Sequence, residues 1–244
     1  MHHGEFEDPA LTAIYDAENS WSTDDAFVRT HLATIPGSRV LDLGCGTGRL
    51  ALGLAASGHA VTGVEPARAS LDAARAKPGS ERVQWLERSA ADLPIGAFDV
   101  ALMTSHVAQF IVPDAAWIET LNAVHSALLP NGLLLFDSCD PASRIWERWN
   151  AVESRRSVEL DNGNRVEVWT EATGLEDGVV RFVHHYRFDN GVHRTSTAAM
   201  RFRSEQALRT TLARCGFSVE HVYGGWRREP TGQGGDDLVI LARA

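Results

Sequence analysis

Gly44, Gly46 and Gly48 stand at alternate positions in VLDLGCGTGRL, residues 40–50, directly after an apolar run. A loop this poor in side chains lets a ligand approach the backbone, and glycine tolerates the left-handed angles such a loop needs. After a first strand, that arrangement suits a nucleotide-like ligand. A dinucleotide fingerprint, G-x-G-x-x-G, asks for a third glycine where this chain has Arg49, so a diphosphate ligand is disfavoured. Glu65 in GVEP, residues 63–66, is a carboxylate able to accept from both hydroxyls of a ribose; taken alone, it could equally be a solvated acid at a strand end. His106 titrates near working pH and is the best general-base candidate; the competing reading is a histidine that caps or packs its loop.

The elements that must position these residues alternate. Residues 8–35 read as helical and acidic, with Thr23 as an N-cap before Asp24 and Asp25. Strands are expected over 39–43, 60–65, 82–86, 98–104 and 133–138, and helices over 49–57, 66–76 and 114–129. That order predicts βαβ units and a mostly parallel sheet. From 158 to 203 the pattern changes to alternating segments split by Asp161-Asn162-Gly163, Glu176-Asp177-Gly178 and Asp189-Asn190-Gly191, which reads as antiparallel hairpins. Ser204 then caps a helix that stops at Gly216, and two last strands follow at 218–223 and 238–242.

With those elements in place, LDLGCGTG resembles the nucleotide-loop motif of the class I S-adenosylmethionine-dependent methyltransferases, and GVEP their acid-ended second strand. RSAADLP, residues 88–94, is similar to the segment that meets the adenine, although Arg88-Ser89 stands where Gly-Asp is common. FDVALMTSHVAQF resembles the strand that leads to the methyl-transfer site, LLPNGLLLFD the following helix, turn and strand, and SEQALRTTLARCGFSVEHVY the penultimate helix and strand. The resemblance implies a Rossmann-like α/β sandwich with a seven-stranded sheet and a small antiparallel β insert. It implies S-adenosyl-L-methionine as cofactor and S-adenosyl-L-homocysteine as product. It places the cofactor on Asp42, Gly44, Cys45, Gly46, Glu65, Pro66, Ser89, Ala90, Asp92, Thr104 and Ser105. It makes Tyr15 of the N-terminal Tyr15-Asp16 pair a hydrogen-bonding partner near the methyl group, and Trp21 a closing lid; ordinary helix packing is the alternative for both.

One domain is expected over 1–244: a helical lid over 1–36, a cofactor-binding core over 37–150, a β insert capping the substrate over 151–203, and the rest of the core over 204–244. Trp146, Arg144 and His184 are substrate candidates. Trp146 and Trp149 could instead pack the insert on the core, and Arg144 and Arg187 could be plain surface cations. His184 shares an insert face with Val180, Phe182, Tyr186 and Phe188, opposite to His185, so it could line a pocket or be a satisfied core histidine. Asp137, Asp140 and the histidines show no ligand spacing, so no metal is expected.

The net charge of -9 argues against nucleic acid or an anionic membrane as partner. Cys45, Cys139 and Cys215 are few, odd in number and far apart, which offers neither a disulfide framework nor a CxxC pair. No apolar run reaches the roughly 18 residues of a membrane span, and MHHGEFEDP has no apolar segment resembling a signal peptide. A cytoplasmic enzyme that methylates nitrogen or oxygen of a small molecule is therefore expected. Three rivals stay open: an enzyme of the same cofactor that acts on a protein side chain or transfers another group, an NAD-dependent oxidoreductase, and a non-catalytic binder of the cofactor.

Overall fold

The computed structural model describes residues 4–160, 162–233 and 235–244. Residues 1–3 of the expected lid and Asp161 of the first expected turn lie outside them. The chain opens with α1 (Gly4–Glu7), α2 (Pro9–Glu18) and α3 (Thr23–Leu32). It continues through β1 (Arg39–Leu43), α4 (Arg49–Ala56), β2 (Ala60–Glu65), α5 (Arg68–Ala76), β3 (Val83–Glu87) and β4 (Phe98–Met103). Then come α6 (Val107–Phe110), α7 (Asp114–Ala127) and β5 (Leu128–Cys139). A second sheet follows with β6 (Arg156–Glu159), β7 (Arg165–Glu176), β8 (Val179–Phe188) and β9 (His193–Arg201), before α8 (Glu205–Arg214), β10 (Ser218–Tyr223) and β11 (Asp237–Arg243).

The main sheet has seven strands in the order β10-β11-β5-β4-β1-β2-β3. β1 to β5 are parallel, and β11 runs antiparallel to both β5 and β10. Strand order reverses between β1 and β4, and ligands of open α/β sheets bind at the carboxyl ends beside such a reversal. Both faces of the sheet are covered, so its central strands are mainly apolar and buried. Leu41, Val64, Met103 and Phe136 pack under Trp117 and Leu121 of α7 and Leu208 and Leu212 of α8. Their neighbours Val40, Val61, Leu102 and Leu135 face Val28 and Leu32 of α3 and Leu50 and Leu54 of α4.

Two boundaries differ from the sequence expectation. The N-cap of α3 is Ser22, not Thr23, because the reciprocal cap needs an acid three residues on: the Ser22 N–H donates to Asp25 Oδ2 at 2.9 Å. β5 begins before Pro130-Asn131-Gly132 rather than after it. Leu128 pairs with Phe98 and Leu133 with Val100, so the extra residues are absorbed as a bulge, with Asn131 at φ 66°.

The expected hairpins form the four-stranded sheet β6-β7-β8-β9. The apolar face of β8 is shared between two clusters. Tyr186 packs with Leu11 and Ile14 of α2. Val180 and Phe182 pack with Cys139, Phe202 and Trp149. One face of the insert therefore covers the N-terminal helices and the end of β5. Among the described residues, no helix is long and apolar enough to cross a membrane.

Candidate active site

The glycine loop leaves β1 by bonding to β2: Gly44 N–H and Cys45 N–H both donate to Val64 O, at 2.7 and 3.1 Å. Gly44 has φ +74°, and a Cβ there would lie 2.5 Å from Val107 Cγ2. Gly46 has φ +52° and a Cβ on it would meet nothing within 4 Å. The first glycine admits a neighbouring side chain, and the second leaves open space. That space belongs to a cavity of about 300 Å³ lined by Gly44, Gly46, Glu65, Pro66, Ser89, Ala90 and Ser105, and closed by Tyr15.

Glu65, 8% exposed, ends β2 at the cavity wall. Its Oε2 accepts from Gly46 N–H at 3.1 Å and its Oε1 from Ala67 N–H at 2.9 Å. Burial pushes its pKa up and the two N–H groups pull it back. Each oxygen keeps a second acceptor site, which suits the two hydroxyls of a ribose. The cradle, the open face of Gly46 and the free lone pairs of Glu65 together fit the adenosyl and methionyl parts of S-adenosylmethionine.

The other expected cofactor residues divide. Asp42 is 2% exposed and does not line the cavity; burial and then the Glu65 charge raise its carboxyl to about 7. Cys45 turns towards β2, where its Sγ would be 3.0 Å from a Cβ on Gly63, and burial pushes its thiol up. Thr104 and the side chain of Asp92 also lie outside the lining, and Asp92 O accepts from Arg88 at 3.1 Å. Arg88 itself lines the cavity beside Ser89.

Tyr15 reaches the wall from α2. Burial raises its phenol to about 12, so the hydroxyl stays protonated and acts as a donor. The helix is fastened to the glycine loop: Lys77 Nζ donates to Thr47 O and to Asp16 Oδ1, both at 2.8 Å, and Thr47 Oγ1 donates to Asp16. Phe6, Val107, Phe110 and Ile111 complete the wall and went unseen in the sequence. Phe6 meets Tyr15 and Phe110 edge-on, with centroids 5.6 and 5.7 Å apart. They sit in or beside four-residue helices, α1 and α6, which carry barely one turn of periodicity.

His106 follows the wall residue Ser105 but does not itself line the cavity. Ser105 and His106 are both left-handed, φ 57° and 65°, and Asp137 Oδ2 accepts the His106 N–H at 3.1 Å. The ring Nε2 lies 3.1 Å from Asp237 Oδ1 and 3.4 Å from Asp137 Oδ2. Burial lowers the imidazole pKa, but Cys139, Asp137 and Asp237 outweigh it and hold it well above its ordinary value. In that pairing the ring favours its charged form.

The substrate candidates are placed away from this cavity. Trp21 lies on α4, where a Cβ on Gly53 would be 2.4 Å from its ring, and Arg29 covers it at 5.2 Å. Trp146 packs edge-on against Phe202, with centroids 4.6 Å apart. Arg144 is exposed and paired with Glu147. His184 Nε2 lies 3.3 Å from Glu5 Oε2 and its Nδ1 2.7 Å from Thr170 Oγ1; burial lowers it to about 4. As expected, His185 points to the other face, where it stacks on Trp169 at 4.7 Å.

A family model described as a methyltransferase domain matches residues 40–132, from β1 and its glycine loop to the first residues of β5. The putative methyltransferase YqeM of Bacillus subtilis is 30% identical over 131 residues, 52% of this chain and 53% of that one. The chain thus spans about half the length of that relative. Cypemycin N-terminal methyltransferase from a Streptomyces species is 30% identical over 224 residues, 89% of this chain and 88% of that protein. The sugar N-methyltransferase KedS8 from a Streptoalloteichus species shares the fold with TM-score 0.71 and 20% identity, over 93% of this chain and 90% of that one. The match to nearly the full length of a curated methyltransferase, together with the glycine loop and the strand-end carboxylate of Glu65, shows that this chain belongs to the class I S-adenosylmethionine-dependent methyltransferases.

Proposed function

We propose that this chain transfers the methyl group of S-adenosylmethionine to an amine nitrogen of a small molecule. What supports the amine is the charge that stands behind the cavity wall at Ser105. Beyond Ser105 stand two carboxylates, Asp137 and Asp237, against one imidazole, His106. The nearby cations are already committed: Arg148 to Asp236, Arg144 to Glu147, and Arg203 to Asp114 and the carbonyls of Ala108 and Ile111. The carboxylates behind this wall favour an ammonium over an acidic acceptor. The relative matched over most of its length is named for an N-terminal methylation, and KedS8 for a sugar nitrogen.

The bound cofactor supplies a methyl already activated by the sulfonium charge. The protein's task is alignment and exclusion of water, and orientation alone removes roughly 7–11 kcal/mol in favourable intramolecular models. Glu65 and the glycine loop fix the donor. Tyr15, as a protonated donor, orients polar groups near the methyl, while Phe6 and Phe110 keep water out. A neutral amine presents its lone pair without a base, so the reading asks no proton transfer of His106, which lies off the cavity.

The test is release of S-adenosylhomocysteine with paired acceptors, each amine set beside the alcohol of the same skeleton. Turnover with amines supports the reading, and turnover with alcohols alone overturns it. Turnover only with peptides bearing a free N-terminus would move the acceptor to the class of the Streptomyces relative.

A further inference from the structure

The cluster behind Ser105 holds more donor chemistry than an ion pair uses. His106 Nε2, Cys139 Sγ and an Asp237 carboxylate oxygen lie within 4.8 Å of one another, and Asp137 Oδ2 is 3.4 Å from the same imidazole nitrogen. Three donors converge from three segments: the loop after β4, the end of β5, and the start of β11. Asp137 and Cys139 are two apart on β5 and so share a face, and Asp237 is the cross-strand partner of Cys139. The left-handed pair Ser105 and His106, tied down by Asp137, holds the ring in place. Asp137 is 1% exposed, and its Oδ1 has no hydrogen-bond partner.

A tetrahedral zinc ion, with ligands at about 2.0–2.3 Å, sets donor–donor edges of roughly 3.3–3.8 Å. The distance from His106 Nε2 to Asp237 Oδ1, 3.1 Å, already approaches that length. We propose that His106, Cys139 and Asp237 form a site for one divalent cation of the zinc class, with Asp137 holding the His106 loop beside it. Mixed thiolate, imidazole and carboxylate donors select zinc, cobalt or their like over magnesium and calcium, which prefer oxygen alone. The ion ties β11 and β5 to the loop that leads into α6, and so steadies the wall formed by Val107 and Phe110. Sequence spacing gave no hint of this because the donors meet only in the folded sheet.

The test uses the full chain, stripped of metal, titrated with zinc by calorimetry and with cobalt(II) by absorption. One equivalent is expected, with a near-ultraviolet thiolate-to-cobalt charge-transfer band. Cys139→Ser should abolish that band and weaken zinc at least tenfold, and Asp237→Asn should weaken zinc at least tenfold while keeping the band. Circular dichroism and S-adenosylhomocysteine binding on the same samples show that the variants fold, and they read the methyl-transfer proposal separately. Should Cys139→Ser fail to fold, Asp237→Asn carries the test, and undiminished zinc binding by it overturns the site. Absence of stoichiometric binding, or a charge-transfer band that survives Cys139→Ser, overturns it as well. Removing His185 and His193, which lie 3.2 Å apart on the far face of the insert, should leave the band unchanged; loss of the band there places the ion elsewhere and overturns the proposal.

Discussion

Glu65 and Gly46 are bound to each other across the cavity floor, carboxylate Oε2 to backbone N–H at 3.1 Å. The side chain at the cavity wall therefore also sets the shape of the loop. Glu65→Ala removes both functions, and S-adenosylmethionine affinity should fall about 10- to 100-fold, on the order of 1.5–3 kcal/mol for bonds to a charged group. Calorimetric titration of the variant decides it: an unchanged dissociation constant would remove Glu65 from the ribose.

The two glycines of the loop should respond differently to the same change. Gly44→Ala forces a left-handed alanine, costing roughly 1–2 kcal/mol, and adds a clash with Val107. Its Tm should fall by several degrees. Gly46→Ala meets no protein atom, so its Tm should fall less while cofactor affinity drops at least tenfold. Equal loss of Tm in both, or full affinity in Gly46→Ala, would contradict the placing of the ligand over Gly46.

Tyr15→Phe should lower kcat several-fold and leave cofactor affinity within about twofold, because the ring keeps its packing on Phe6 while the donor is lost. A raised KM for the cofactor with kcat intact would mean that the hydroxyl serves binding alone.

The N-terminal helices carry a pH dependence. Glu5 is 4% exposed between Tyr186 and His184, and burial raises it from 4.5 to about 7. A carboxyl raised in the native state stabilises it fully below the unfolded pKa and loses that contribution as pH rises through the native one. Between about pH 4.5 and 7 the wild type should therefore lose stability relative to Glu5→Gln, by up to about 3 kcal/mol. His184 is common to both chains and cancels. Melting curves at the two ends of that window check this, and a constant gap would show that Glu5 does not titrate there.

Much of this site was legible in the sequence, for physical reasons. The glycine loop and Glu65 were visible because a buried parallel strand, a left-handed turn and a strand-end acid each restrict residue type. The insert was visible because its hairpins turn at Asp-Gly and Asn-Gly pairs. Phe6 and Phe110 were hidden in helices too short to show a period. The orientation of His106 was hidden because it depends on a left-handed backbone and on Asp237, far along the chain. Trp21 looked like a lid by its place in the chain, but the absence of a side chain at Gly53 gives its ring a nearer seat.

The most direct measurement is a competition in one vessel between an amino sugar and its hydroxyl counterpart, with labelled S-adenosylmethionine and product analysis by mass. The account expects label on nitrogen of the amino sugar and none on the alcohol. Label on the alcohol alone, or only on protein, would contradict a small amine as the acceptor.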